Sequence, residues 1–164
     1  MTSMRILGID PGFGRLGYGI VEVEGHSEKA VTFGCVETDK QVSREHRLQQ
    51  IFVAVQNLID THHPTHLAIE ELFFNHNVNT AIGVGEARGV VLLAAAERGI
   101  AVSEHQPLSV KLTVTGDGRA DKQQIQKMIQ LLLKLDQPPT PDDAADALAI
   151  ALTAARHLWQ TSRF

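Results

Sequence analysis

Residues 141–152 read PDDAADALAIAL, a run of small and aliphatic side chains that suits a tightly packed helix, yet it opens on Asp142, Asp143 and Asp146. Asp143 and Asp146 stand at i and i+3, on one face of that helix near its N-terminus. One acid there is ordinary. Thr140 and Pro141 offer an N-cap and a first helical position, which makes Asp143 the third-position acid of a cap. Asp142 and Asp146 would also favour the positive end of the helix. Capping does not explain a second acid one turn later on the same face. The alanines let the helix approach its neighbour closely, and carboxylates pressed inward with it need a cation.

The rest of the chain supplies a surface for that helix. MRILGID is a short apolar strand ending at Asp10 before the breakers PGFGR. LGYGIVEVE and KAVTFGCVET follow, separated by the turn-like GHSE, and the three read as an antiparallel meander. From Ser43 the period changes to three and four: Leu48, Ile51, Phe52, Val55, Leu58 and Ile59 predict an amphipathic helix, with Ser43 as cap and Pro64 as stop. HLAIEE is a strand ending at Glu70 and Glu71, and a helix over 80–98 runs to Gly99. IAVSE is a fifth strand. PLSVKLTVTGDGRAD reads as mostly loop with one short helical turn, a helix spans about 122–135, and the last starts near Pro141 and runs to about Trp159. This order predicts an α/β domain: one five-stranded mixed sheet flanked by helices, a single domain over 1–164.

Composition sets bounds. Apolar residues make up 43% and charged residues 21%, a globular balance, and the lone Cys35 excludes an internal disulfide and reads as a buried, inert thiol. No apolar run reaches the roughly 20 residues of a membrane span, so the expectation is a cytoplasmic protein away from membranes. Nineteen acids against 15 bases argue mildly against a nucleic-acid partner. That objection fades if several acids bind metal.

Four acids stand in apolar surroundings: Asp10, Glu70, Asp143 and Asp146. If the first and fourth strands lie parallel and adjacent, Asp10 and Glu70 reach the same rim, the usual ligand edge of an open α/β sheet. Each alone has a plain structural reading, as a turn residue, a solvated pair or a cap. Together they form an oxygen donor set suited to Mg²⁺ or Mn²⁺. Two such ions about 4 Å apart are the usual apparatus for phosphodiester hydrolysis.

The segments GIDPG, AIEELF, GEARGV, SVKLTVTGDGRADK and PDDAADALAIAL, in this order and spacing, resemble the RuvC family of Holliday-junction resolvases. The resemblance covers nearly the whole chain. It implies an RNase H-like fold, a homodimer, and symmetric cutting of two like-polarity strands of a four-way DNA junction to leave 5′-phosphate ends. It also implies partnership with the RuvA–RuvB branch-migration complex. Asp10, Glu70, Asp143 and Asp146 match the family's metal-binding acids. Lys111 and Lys122 match basic residues near the scissile phosphate, with Lys122 counted among the catalytic groups. Phe73 matches an aromatic that contacts junction bases, and Arg119 lies beside them as a further DNA-binding candidate. Glu71 departs from a common glutamine, and FNHNVNT departs from the usual loop.

Other readings stay open. A basic cluster at Lys111, Arg119 and Lys122, opposed by Asp117 and Asp121, is more often a solvated surface. Phe73 and Phe74 beside Glu70 are ordinary core candidates. Gly83, Gly85 and Gly89 inside one helix cost about 1 kcal/mol each against alanine, which asks for a close neighbour inside the subunit or across a two-fold axis. GIDPGFGRLGYG also suggests the phosphate loop of sugar-kinase-type ATPases, a ribonuclease H would share the metal centre, and a junction binder without catalysis would share the fold.

Overall fold

The computed structural model describes residues 3–72 and 78–161. Five strands form one sheet in the order β3-β2-β1-β4-β5. They are β1 (Met4–Asp10), β2 (Arg15–Glu24), β3 (Ser27–Glu37), β4 (His66–Glu70) and β5 (Ala101–His105). The first three form the expected antiparallel meander, while β1 pairs parallel with β4 and β4 parallel with β5. α1 (Arg44–His62) and α2 (Val78–Glu97) cover one face of the sheet. α3 (Pro107–Thr115), α4 (Lys122–Leu132) and α5 (Asp142–Thr161) cover the other.

Strand alternation sorts the core. In β1, Leu7 and Ile9 pack with Ile51, Val55, Val91 and Ala94 under α1 and α2, whereas Ile6 packs toward α5 with Val21 and Ala68. Gly8 and Asp10 share the parity of Ile6, and Glu70 shares that of Ala68, so both strand-end acids face α5.

What lets α5 settle onto that face is glycine on the strands as much as alanine on the helix. A Cβ on Gly8 would overlap the carbonyl oxygen of Ala147, and one on Gly17 would overlap that of Asp143. At Gly19 it would come within 2.8 Å of the Leu148 side chain. Eleven consecutive-turn residues of α5, from Ala144 to Ala155 except Asp146, are buried. The helix is locked at backbone distance from β1 and β2.

Two expectations need correction, and a third, the Ser43 cap, holds by position though not by a capping bond. The segment after β5 is a nine-residue helix, α3, not a loop with one turn. Pro107 at its start and Gly116 with φ of 75° after its end are the signals that bracket it. Ser43 occupies the N-cap of α1 but makes no capping bond; its hydroxyl lies 2.6 Å from His46 Nδ1. α5 begins at Asp142, one residue later than a helix with Pro141 at its first position.

Among the described residues α2 is also the one helix long and apolar enough to cross a membrane by length and composition. Its Gly83, Ala87, Val91, Ala94 and Ala95 stripe is buried in the fold, and Glu86 and Arg88 form ion pairs with Arg44 and Glu104.

Gly8→Ala tests the seating of α5. Overpacking against helix backbone is expected to cost about 3 kcal/mol, a fall in melting temperature of roughly 6–12 °C, whereas Gly14→Ala, whose new methyl would meet only Arg47 Nη2 at an ordinary 3.6 Å, should melt close to wild type. Circular dichroism melts read both.

Candidate active site

Asp10 and Glu70 each stand one residue beyond the Ile9–Ile69 register pair, at the ends of adjacent parallel strands. α5 lowers Asp143 and Asp146 toward them from above the sheet. All four line one cleft of about 560 Å³, together with Lys111 and Lys122. Pro107, Val110, Ala120, Ile125, Ala149 and Ile150 supply apolar wall, and Asp121 also lines the cleft.

The electrostatics follow from crowding acids against that wall. Burial, reinforced by Asp146, Glu70 and Asp143, raises the Asp10 pKa to about 8. Burial likewise raises Asp146 to about 6, with Lys122 opposing and Asp142 and Asp143 adding to the rise. Glu70 is raised by burial and by Asp146, against Lys111 and Lys122. The cleft holds more negative charge than its two lysines balance.

The basic residues arrive on two helices. Lys111 lies on α3, and Lys122 is the first residue of α4, fixed by a capping box the sequence reading did not identify. Asp121 Oδ1 accepts from the Gln124 amide and Gln124 Oε1 from the Asp121 amide, each at 2.8 Å. Lys122 does not touch the four acids; its Nζ donates to Asp142 Oδ2 at 2.8 Å, which raises its own pKa and lowers that of Asp142.

Arg119 is not part of the cleft wall; its amide donates to Asp117 Oδ1 in the loop before α4. Phe73 lies outside the described residues. Glu71 donates its amide to the His105 carbonyl, continuing the β4–β5 pairing.

Two neighbours of Asp143 went unnoticed in the sequence. Arg15 Nη1 donates to Asp143 Oδ2 at 3.3 Å, and Cys35 Sγ lies 3.9 Å from the same oxygen. Cys35 is only half-buried, not sealed in the core, and its pKa is raised to about 11 by burial first and Asp143 second. It therefore stays a thiol at neutral pH.

The donor set fits a hard divalent cation. Among the described residues it is all carboxylate oxygen with no imidazole lining it, and Asp10, Glu70 and Asp146 are raised by burial and by neighbouring acids, which a cation would offset. The acids are not closed into a cage: among the described residues no three carboxylate, imidazole or thiol groups are gathered closely enough to clasp an ion.

A mixed sheet in this order, with acids at the ends of adjacent parallel strands and on a helix crossing them, is the RNase H-like arrangement, the frame of nucleases that depend on divalent metal. A family model described as Crossover junction endodeoxyribonuclease RuvC matches residues 6–154. A protein of that name from Heliobacterium modesticaldum is 53% identical over 155 residues, covering 94% of this chain and 96% of that one. The Thermus thermophilus RuvC structure is 37% identical at a TM-score of 0.89, covering 96% of this chain and 97% of that one. T. thermophilus RuvC in complex with Holliday junction substrate is 36% identical at a TM-score of 0.91, with 96% of both chains covered. This chain belongs to the RuvC family of crossover junction endodeoxyribonucleases.

The raised acids make the cation-free protein sensitive to pH. Between about 4 and about 8 the unfolded chain has released the Asp10 proton while the folded protein retains it. Stability therefore falls as pH rises through that window and levels off above it. The salt-bridged Asp60 and Glu22, with lowered pKa values, give the opposite slope, but below the ordinary carboxylate range. With EDTA present, melting temperature should fall between about pH 5.5 and pH 8.5. Asp10→Asn should flatten the curve and melt about 5 °C or more above wild type at the alkaline end. Equal slopes in the two proteins would remove Asp10 as the source.

Proposed function

We propose that this chain is a single-domain, cytoplasmic nuclease that resolves four-way DNA junctions, cutting two strands of like polarity and leaving 5′-phosphate ends. The observation that carries the reading is the meeting of Asp10, Glu70, Asp143 and Asp146 in one cleft beside Lys111 and Lys122. Two of those acids come from strand ends and two from α5, so no local motif accounts for their meeting.

In this reading the four carboxylates would hold two Mg²⁺ or Mn²⁺ ions, which would supply an activated water and stabilise the leaving oxygen. The protein's own part is placement. The apolar wall from Val110, Ile125 and Ile150 lowers the local dielectric and strengthens each charge that remains. Lys122, once it leaves Asp142, and Lys111 offset charge building on the phosphoryl oxygens. Phe73 contacts unpaired bases at the junction and Arg119 its backbone. The RuvA–RuvB complex is the partner that delivers the junction.

The homodimer forms through α2. Val78, Ile82, Gly89 and Leu93 recur at helical spacing along its outer side, and Val78, Ile82 and Leu93 are exposed at 69%, 50% and 53%. Gly83 is used inside the subunit, against Phe13, whereas Gly89 has no intrachain neighbour. Such a stripe permits close helix contact across a two-fold axis, which would set two clefts against a substrate of matching symmetry. Leu93→Glu should convert the dimer to monomer by light scattering and abolish paired cutting; a dimer that persists would place the interface elsewhere.

The activity test uses Mg²⁺ with a labelled four-way junction, a plain duplex and an RNA–DNA hybrid. Paired symmetric nicks on the junction alone are expected. Preference for the hybrid would make the protein a ribonuclease H, and ATP turnover without nicking an ATPase. Asp10→Asn, Glu70→Gln, Asp143→Asn and Asp146→Asn should each lower cutting by about 100-fold or more, since even outer partners of metal ligands cost 10–100-fold. Junction binding should survive in all four, because removing negative charge does not weaken attraction to phosphate.

A further inference from the structure

We propose that Arg15 is a built-in competitor for the cation site: its guanidinium occupies Asp143 in the cation-free protein, and a divalent ion that uses Asp143 must displace it. The proposal rests on the reading of the four acids given above and adds a residue that reading does not contain.

Three observations carry it. First, the acids are unequal. Asp143 is paired with a guanidinium, at 3.3 Å from Arg15 Nη1 to Oδ2, while among the described residues Asp10, Glu70 and Asp146 make no ion pair. Second, Arg15 is held from two sides, since Nη2 lies 3.2 Å from Glu37 Oε1. It opens β2, whose Gly17 lies directly under the Asp143 backbone, so the contact is set by how α5 sits on the sheet. Third, the Arg15 side chain is 47% exposed and can swing away while keeping Glu37. Of the two lysines that line the cleft, Lys122 is engaged by Asp142, which is not one of the four.

The chemistry makes this competition rather than simple support. A guanidinium donates and never accepts, and it stays charged across the working pH range. An Asp143 oxygen receiving that N–H has fewer lone pairs to offer a metal, and its charge is already partly neutralised. Asp10 and Asp146 have no such occupant. Cation binding should therefore be uneven, the ion that needs Asp143 binding more weakly. In exchange, the pairing leaves the cleft one fewer uncompensated carboxylate.

The test is Mn²⁺ titration of the full chain, without DNA, by calorimetry or by loss of the free-ion electron paramagnetic resonance signal. Wild type, Arg15→Gln, Arg15→Lys, Asp143→Asn and the Arg15→Gln/Asp143→Asn double variant are compared, with melts to confirm folding. Arg15→Gln is expected to tighten the weaker binding event about two- to fivefold, the range of a partly exposed ion pair. Arg15→Lys, which keeps the charge, should fall between. In the Asp143→Asn background the gain should vanish. Unchanged or weaker binding in Arg15→Gln would overturn the proposal. So would an equal gain in the Asp143→Asn background, which would reduce Arg15 to a diffuse positive field. If wild type bound no Mn²⁺, or if Asp10→Asn bound as wild type does, the reading of the acids would fail first, and that outcome is separate from a wild type that binds while Arg15→Gln changes nothing.

Discussion

The contact between α5 and the first two strands fixes almost everything else in this molecule. It exists because Gly8 and Gly17 leave no side chain where the helix backbone must pass, and because the helix answers with Ala144, Ala147 and Ala151. Packed interiors do not deform smoothly, so one methyl group on either strand glycine would lift the helix rather than be absorbed. Lifting it would withdraw Asp143 and Asp146 from the strand ends that hold Asp10 and Glu70. The small residues thus serve the site as much as the core.

That seating has an electrostatic cost. Burial against the apolar wall, with neighbouring acids adding to it, raises the proton affinity of Asp10, Glu70 and Asp146, to about 8 at Asp10. The protein relieves the charge locally and unevenly, with Arg15 on Asp143 and Lys122 on Asp142, and leaves Asp10, Glu70 and Asp146 without ion-pair partners among the described residues. Those three gain most from a divalent ion. A net charge of −4 fits the same logic: part of the acid excess is concentrated where cations would compensate it before DNA arrives.

Much of this was legible in the sequence, for identifiable reasons. Strand alternation and a clean change to helical period gave the sheet and its meander, and the i, i+3 spacing of Asp143 and Asp146 on an alanine helix pointed to a site. α3 was harder, because Val110, Thr113 and Val114 are β-branched and weaken a short helix's local signature. Only the bracket of Pro107 and Gly116 betrayed it. The Asp121–Gln124 capping box was there to be read and places Lys122. The glycine partners of α5 and the Arg15–Asp143 contact were not legible, since 128 residues separate Arg15 from Asp143 and no periodicity records which residues meet across such a distance.

In the proposed function, strand ends and a close-seated helix bring four carboxylates together to share divalent cations. Crystals grown in Mn²⁺ and measured for anomalous scattering test it directly. Density should appear in the cleft, with oxygens from Asp10, Glu70, Asp143 and Asp146 among the ligands and Arg15 withdrawn from Asp143 toward Glu37. A cleft without anomalous density at saturating Mn²⁺, or an ion bound elsewhere by other residues, would contradict it.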